Sequence, residues 1–184
     1  MASVLIPLAD GCEELEAVTL IDLLRRADIT VTTASLSYQG TLTGSRHVRL
    51  IADTLLDDVI YDEFDMLLMP GGQPGASTLD ADHRIHALIK RLHHADKYLA
   101  AICAAPIVLA TSGVLNGRRA TCYPGALDPQ QWPEIDICDE PIVIDGKILT
   151  SQGPGTAMDF ALTIIELLTD KTTRDQVETS LARP

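Results

Sequence analysis

Aromatic side chains are scarce in this chain, with two Phe, four Tyr and one Trp, or 4% of 184 residues. Base-stacking platforms for single-stranded nucleic acid are therefore not expected, and the interior must be packed from aliphatic groups. Positive charge is also in short supply: 14 Lys and Arg face 26 Asp and Glu, and the formal net charge of −12 repels phosphate backbones and anionic membrane surfaces alike. Nucleic acid and membranes are thus excluded as expected partners. No apolar run approaches the roughly 18 residues of a membrane-spanning helix. The four cysteines, Cys12, Cys103, Cys122 and Cys138, form no C-x-x-C pair and have no neighbouring ligand histidine, which argues against a zinc site and against a redox dithiol. No metal is expected. Glycine-rich nucleotide motifs are missing as well, because Gly71-Gly72-Gln73-Pro74-Gly75 matches neither G-x-G-x-x-G nor a P-loop, and no cofactor is expected. The N-terminal stretch carries no positive segment and runs into Asp10, so it reads as a first strand and not as a secretion signal. Reduced thiols in the cytoplasm are the expected setting.

What is present is an ordinary globular composition, 46% hydrophobic and 22% charged. It suits one domain over residues 1–184, burying about 70% of its unfolded surface without a disulfide or metal staple. Strand-length apolar runs alternate with helical periodicity, the sign of an α/β domain with a mainly parallel sheet. Residues 3–8 read as the first strand. Over residues 14–26, Leu15, Val18, Leu20, Ile21, Leu23 and Leu24 give a helix one broad apolar face. Residues 29–35 are β-branched and strand-like. Residues 36–53, with the turn chemistry of Tyr38-Gln39-Gly40 and Thr43-Gly44-Ser45, predict a small antiparallel excursion with a short strand at 47–51. A wholly apolar strand at 66–69 ends in Pro70-Gly71-Gly72, and a helix over 82–95 takes Asp80 or Asp82 as its cap. The strand 98–102 runs into Cys103 and a helix that breaks near Ser112-Gly113. Residues 141–150 form a hairpin in which Asp145-Gly146 suits a type I′ turn. Helices at 157–168 and 173–181 follow.

In an open parallel sheet, ligands collect outside the carboxyl ends of the strands, where strand-to-helix loops converge. Cys103 lies at such a point, between a strand-like and a helix-like apolar run. A thiol on a sharp strand-to-helix turn sits beside N–H groups that no intrahelical carbonyl satisfies. These donors and the positive helix end stabilise a thiolate, lower its pKa and face any oxyanion formed by attack on a carbonyl. The competing role is that of a small buried hydrophobe, the commoner fate of a lone cysteine. Pro70-Gly71-Gly72 permits close backbone approach and leaves amides in the same crevice, although taken alone it is an ordinary strand-ending turn. Glu13, Glu14 and Glu16 cluster in the first turn of a helix, where the dipole by itself favours carboxylates. Glu16, two residues past Glu14, faces another side, so one glutamate can look into the crevice while the others stay solvated. A carboxyl desolvated beside a thiol stays protonated, bonds the thiolate and shuttles protons. Histidine does not offer itself as the partner: His83, His86, His93 and His94 share one amphipathic helix as its solvated face, and His47 falls in the excursion.

Four segments, in this order and at these intervals, resemble the ThiJ/PfpI superfamily in its parkinsonism-associated "DJ-one" branch, with its bacterial YajL-type members. They are Gly11-Cys12-Glu13-Glu14-Leu15-Glu16-Ala17, Met69-Pro70-Gly71-Gly72, Ala101-Ile102-Cys103-Ala104-Ala105-Pro106 and Thr150-Ser151-Gln152-Gly153-Pro154-Gly155-Thr156. The resemblance spans nearly the whole chain. It implies a flavodoxin-like three-layer sandwich, a homodimer, a reactive elbow cysteine at Cys103, a protonated glutamate at Glu16 bonded to that sulfur, and an oxyanion hole from the amides of Gly72 and Ala104. Asp22 and Arg26 match positions near the family's dimer interface and active site. The implied activities are those of a cofactor-free glyoxalase or deglycase acting on methylglyoxal or its adducts, and of an oxidative-stress chaperone whose cysteine is oxidised to sulfinate. The implied substrate is a small α-oxoaldehyde or its adduct with an amine or thiol. Two departures bear on mechanism. Tyr123 stands where some members place a histidine near the thiol, which leaves proton transfer to Glu16. Ala104 follows Cys103 where the peptidase-like branch has histidine, which disfavours a protease.

Overall fold

Leu5 and its neighbours Val4, Ile6 and Leu8 are all buried in strand β1 (Ser3–Leu8). Alternate side chains of a strand point to opposite faces, so burial of both sets requires cover on each side. The computed structural model describes residues 1–183 and supplies that cover. Val4, Ile6 and Leu8 share one core with Leu20 and Leu24 of helix α1 (Glu14–Arg26), Phe160 and Ile164 of α6 (Ala157–Leu168) and Val177 of α7 (Lys171–Ser180). Leu5 belongs to a second core with Leu56 of α2 (Leu56–Val59), Leu79 of α3 (Gly75–Ala81), Ile85 and Ile89 of α4 (His83–His94), and Val108 and Leu109 of α5 (Pro106–Thr111). Helices therefore lie on both faces of one sheet, and the fold is a flavodoxin-like three-layer α/β sandwich.

The sheet contains, besides β1, strands β2 (Thr30–Ser35), β5 (Thr54–Leu55), β6 (Met66–Met69), β7 (Tyr98–Ile102), β10 (Ile142–Asp145) and β11 (Ile148–Ser151), in the order β10-β11-β7-β6-β1-β2-β5. All neighbours are parallel except β10 and β11, which form an antiparallel hairpin at one edge. β1 pairs with β2 on one side and with β6 on the other, so the chain reverses its winding direction there. The crevice beyond the carboxyl ends of β1 and β6 is the switch point at which α/β sheets take ligands. Loops after β1, β6 and β7 open into it.

Several local expectations shift by a residue or more. The excursion is a hairpin of β3 (Thr41–Thr43) with β4 (Arg49–Ile51), antiparallel as expected. Helix α4 takes Asp82 as its cap, the carboxylate accepting from the Arg84 N–H at 2.9 Å, while Asp80 belongs to α3. That preceding helix was not expected, because Ala76 and Leu79 give its seven residues too little apolar period. In the β10–β11 hairpin Asp145 pairs with Ile148, which leaves Gly146 and Lys147 as the central turn residues. Only Gly146 has positive φ, +62°, so the turn follows the II′ pattern, not I′. A two-residue parallel pair, β8 (Arg119–Ala120) with β9 (Asp136–Ile137), is too short to show any period in sequence. Among the described residues no helix is long and apolar enough to cross a membrane.

Phe160, fully buried between α1 and the sheet, is the largest completely enclosed side chain. Truncating it removes apolar contact and leaves a cavity, at about 3–5 kcal/mol. Phe160→Ala should lower Tm by on the order of 10 °C in a thermal melt of this chain length; an unchanged Tm would mean that α6 does not seal this core.

Candidate active site

The crevice is assembled from three turns, each with a reason to be where it is. Cys103 ends β7 with φ of +64°, the left-handed region that few non-glycine residues enter. Neighbouring chain fixes that dihedral from both sides: the Cys103 N–H donates to the Ser151 carbonyl at 2.9 Å, and the Cys103 carbonyl accepts from the Tyr123 N–H at 2.8 Å. The turn directs the side chain to the carboxyl end of the sheet, where the amides of Gly72 and Ala104 act on the sulfur and favour its anion. Cys103 is 8% exposed and belongs to the buried core on the α1 and α6 side of the sheet.

The loop after β6 reaches this sulfur only because it has no side chains. A β-carbon at Gly71 would stand 2.7 Å from Cys103 Cβ and 2.9 Å from the Ala104 nitrogen. At Gly72, where φ is +88°, it would stand 2.3 Å from the Glu13 nitrogen. Both distances are below any real contact, so glycine is required at each position.

Glu16 approaches from α1. It shares the helix face of Leu20 and Leu24, one and two turns on, and is fully buried with them. Its Oε2 accepts from the Gly71 N–H at 2.8 Å, while the Gly71 carbonyl accepts from the Glu13 N–H at 2.8 Å. The start of α1 and the loop after β6 thus bond each other reciprocally. Oε1 is sealed from solvent without an aligned hydrogen-bond partner, and the Cys103 thiol is the side chain that acts on this carboxyl.

The two groups set each other's protonation. Burial pushes the Glu16 carboxyl up to about 7, against the lowering effect of the Gly71 amide. Burial also pushes the Cys103 thiol up, to about 12, with the charge of Glu16 acting in the same direction and the Gly72 and Ala104 amides opposing it. The expected lowered thiol therefore does not hold: burial raises it, and an ionised Glu16 raises it further. A neutral Glu16 carboxyl removes that repulsion and offers the sulfur an O–H donor. One negative charge, and not two, fits this site.

Of the other candidates, Glu14 corrects the expectation that the remaining glutamates are solvated. It is buried, and its carboxylate accepts from the Arg46 N–H at 2.8 Å, the Val48 N–H at 3.3 Å and the Ser45 hydroxyl at 3.1 Å. These bonds outweigh desolvation and hold its pKa below the ordinary value. Its role is to fasten the β3–β4 hairpin to α1. Asp22 and Arg26 form an ion pair at 2.8 Å on the half-exposed side of α1, apart from the sulfur. No histidine is among the groups acting on Cys103; His86 instead bonds Ser112 at 2.7 Å and the Asp80 carbonyl at 2.6 Å. Cys12 is fully buried and its thiol is pushed up to about 12 by burial and by Glu14. A surface cleft of about 500 Å³ between α2 and α4 contains none of this chemistry. Sequence reasoning missed the Gly71 amide as the anchor of Glu16, and it missed Gly153. An added β-carbon at Gly153 would stand 4.0 Å from Cys103 Sγ.

Comparison with known proteins places this geometry in context. Residues 2–167 match the model of the DJ-1/PfpI family. Protein dj-1beta of Drosophila melanogaster is 41% identical over 92% of this chain and 90% of its own length. The crystal structure of Drosophila melanogaster DJ-1beta superposes with a TM-score of 0.95 at 38% identity, covering 100% of this chain and 98% of that one. A Caenorhabditis elegans relative named glutathione-independent glyoxalase DJR-1.2 is 35% identical over 91% of this chain and 88% of its own. Protein DJ-1 homolog A of Arabidopsis thaliana is 39% identical over 97% of this chain, which spans only 46% of that longer protein; for its homolog B the share is 38%.

The Glu16 assignment has a thermodynamic signature. A carboxyl at about 7 in the folded chain and at 4.5 when free favours folding fully below pH 4.5 and loses that contribution as pH rises to 7. The span is worth about 3 kcal/mol. Glu16→Gln keeps an acceptor for the Gly71 N–H but cannot ionise. The unfolding free energy of wild type minus that of the variant should therefore fall by about that amount between pH 4.5 and 8, measured by urea denaturation. A difference independent of pH would show that Glu16 is not held neutral by burial.

Proposed function

The chain belongs to the DJ-1/PfpI family, and from that premise we propose that it is a cysteine-dependent glyoxalase or deglycase, acting on small α-oxoaldehydes or on their adducts with amines and thiols. The observation that carries the reading is the convergence on one sulfur of two backbone amides and a buried carboxyl whose pKa is about 7. A carboxyl poised near neutrality can take and return a proton at working pH. The relative named as a glutathione-independent glyoxalase supports the same reaction class.

The Cys103 sulfur, as the anion, attacks the aldehyde carbon. A carbon–sulfur bond forms, and the carbonyl electron pair moves to an oxygen stabilised by the Gly72 and Ala104 amides. Glu16, ionised once its proton has passed to that oxygen, removes the hydrogen on the same carbon and returns it to the neighbouring carbonyl carbon through an enediol. The aldehyde carbon is thereby oxidised to a thioester while its neighbour is reduced to an alcohol. Water then cleaves the thioester, releasing a 2-hydroxy acid and restoring the thiol. The net change is addition of one water, with no external oxidant or reductant.

A second copy of the chain completes this reading as the expected homodimer. Leu15 and Val18 on α1 and Val48 on the adjoining hairpin are each about half exposed, and Glu14 ties these two elements together beneath them. Such an apolar surface suits burial against a second subunit.

Incubating purified protein with methylglyoxal should yield lactate by proton NMR, and Cys103→Ser and Glu16→Ala should each reduce the rate by at least about 100-fold. Equal turnover in all three proteins would end the mechanism.

The same donors favour a second role, as a peroxide sensor or stress-activated holdase. Amides that hold a thiolate also hold the oxygens of a sulfinate, formed as two peroxide molecules each transfer one oxygen to the sulfur and leave as water. Under mild peroxide, mass spectrometry should find two added oxygens on Cys103 before Cys12, Cys122 or Cys138 is modified. Earlier oxidation of any of those three would count against this role.

A further inference from the structure

The side chain of Tyr123 stands exposed near the sulfur, and the reaction above leaves it unused. The residue is 53% exposed although its main chain is fixed at both ends. The Tyr123 N–H donates to the carbonyl of Cys103 itself at 2.8 Å, and the Tyr123 carbonyl accepts from the Ala126 N–H at 2.9 Å. The ring is therefore anchored through the residue that carries the reacting sulfur, and relative motion between them is restricted.

Gly153 defines the space that the two share. A β-carbon there would stand 3.3 Å from Tyr123 Cδ2, 3.9 Å from Cε2 and 4.0 Å from Cys103 Sγ. A single carbon there would already press on the ring edge, so the ring and the sulfur share this rim because residue 153 has no side chain. Gly153 has φ of 165° and ψ of −163°, extended backbone open to any residue, so conformation does not require glycine here. The space itself is what its absence of a side chain provides. A carbonyl carbon bonded to Sγ carries its substituent toward this rim, where Tyr123 is exposed.

Building on the proposed glyoxalase reading, we infer that Tyr123 and Gly153 form the subsite for the group attached to the oxoaldehyde, and that Tyr123 is a specificity-determining residue favouring planar aromatic groups over methyl. The ring contributes by stacking or edge contact, and its hydroxyl is not required. Aromatic pairs of this kind favour the matching substrate by roughly 2- to 12-fold.

The test compares kcat/KM for phenylglyoxal and methylglyoxal in wild type, Tyr123→Phe, Tyr123→Ala and Gly153→Ala. The phenylglyoxal to methylglyoxal ratio should be retained in Tyr123→Phe. It should drop roughly 2- to 12-fold in Tyr123→Ala, and drop also in Gly153→Ala, whose methyl group presses on the ring and displaces it. An unchanged ratio in Tyr123→Ala overturns the subsite, as does a Tyr123→Phe ratio that falls as far as that of Tyr123→Ala, since the hydroxyl would then be the recognising group. A second measurement separates this inference from the reaction it builds on. Phenacyl bromide and bromoacetone alkylate a thiol without proton transfer by Glu16, and their rates at Cys103, each divided by the rate with free glutathione, report the subsite directly. A phenacyl preference that Tyr123→Ala abolishes upholds the subsite even if no oxoaldehyde is turned over. Equal normalised rates in wild type overturn it even if turnover is observed.

Discussion

The arrangement depends on a carboxyl that the fold does not allow to ionise cheaply. Glu16 occupies a place in the apolar stripe of α1 that Leu20 and Leu24 continue, and its one strong hydrogen bond comes from the Gly71 amide. Burial favours the neutral acid, and the neutral acid is the form that can share a proton with a sulfur anion. Were Glu16 solvated, its pKa would return to the ordinary range, its charge would face Cys103 at every physiological pH, and the thiol would remain a thiol. The Gly72 and Ala104 amides would then have no charge to stabilise.

The sheet makes this pairing reproducible without a dedicated loop structure. Three parallel strands deliver three turns to one crevice, and the contacts among them are mostly backbone to backbone or backbone to carboxyl. Glycine at 71 and 72 lets the chain after β6 pass between Glu13 and Cys103 with no side chain in the way. Glu14, one residue from the crevice wall, spends its carboxylate on the amides of Arg46 and Val48, which keeps the β3–β4 hairpin against the start of α1. Two glutamates separated by a single residue thus have opposite fates. Glu14 is ionised because three donors meet it, whereas burial raises Glu16 to about 7 against the single Gly71 amide.

Much of this was legible before any coordinates. The alternation of strand and helix periods gives the sandwich, and Cys103, Glu16, Gly72 and Ala104 do come together. What escaped reading were features set by tertiary contact. Helix α3 and the β8–β9 pair are too short to show a period, and the hairpin turn moved by one residue because register places Asp145 in the ladder. The solvated character assigned to Glu14 failed because its partners lie in a hairpin some 30 residues away. The simple lowering of the thiol pKa failed for a related reason: the helix end and the amides are local, but the burial that outweighs them, and the Glu16 charge that adds to it, come from other elements. The strongest signal for Glu16 is its register: an acidic residue in line with two leucines one and two turns on is misplaced for a surface role.

The backbone at Cys103 adds a mechanical consequence. A residue held at +64° by hydrogen bonds to Ser151 and Tyr123 has no slack to retreat when its side chain grows. An acyl group or a pair of oxygens added to the sulfur must be accommodated entirely on the open side of the crevice. Crowding created by chemistry at that atom is therefore relieved by expelling the product or by displacing what stands at the rim, and not by unwinding the elbow that presents it.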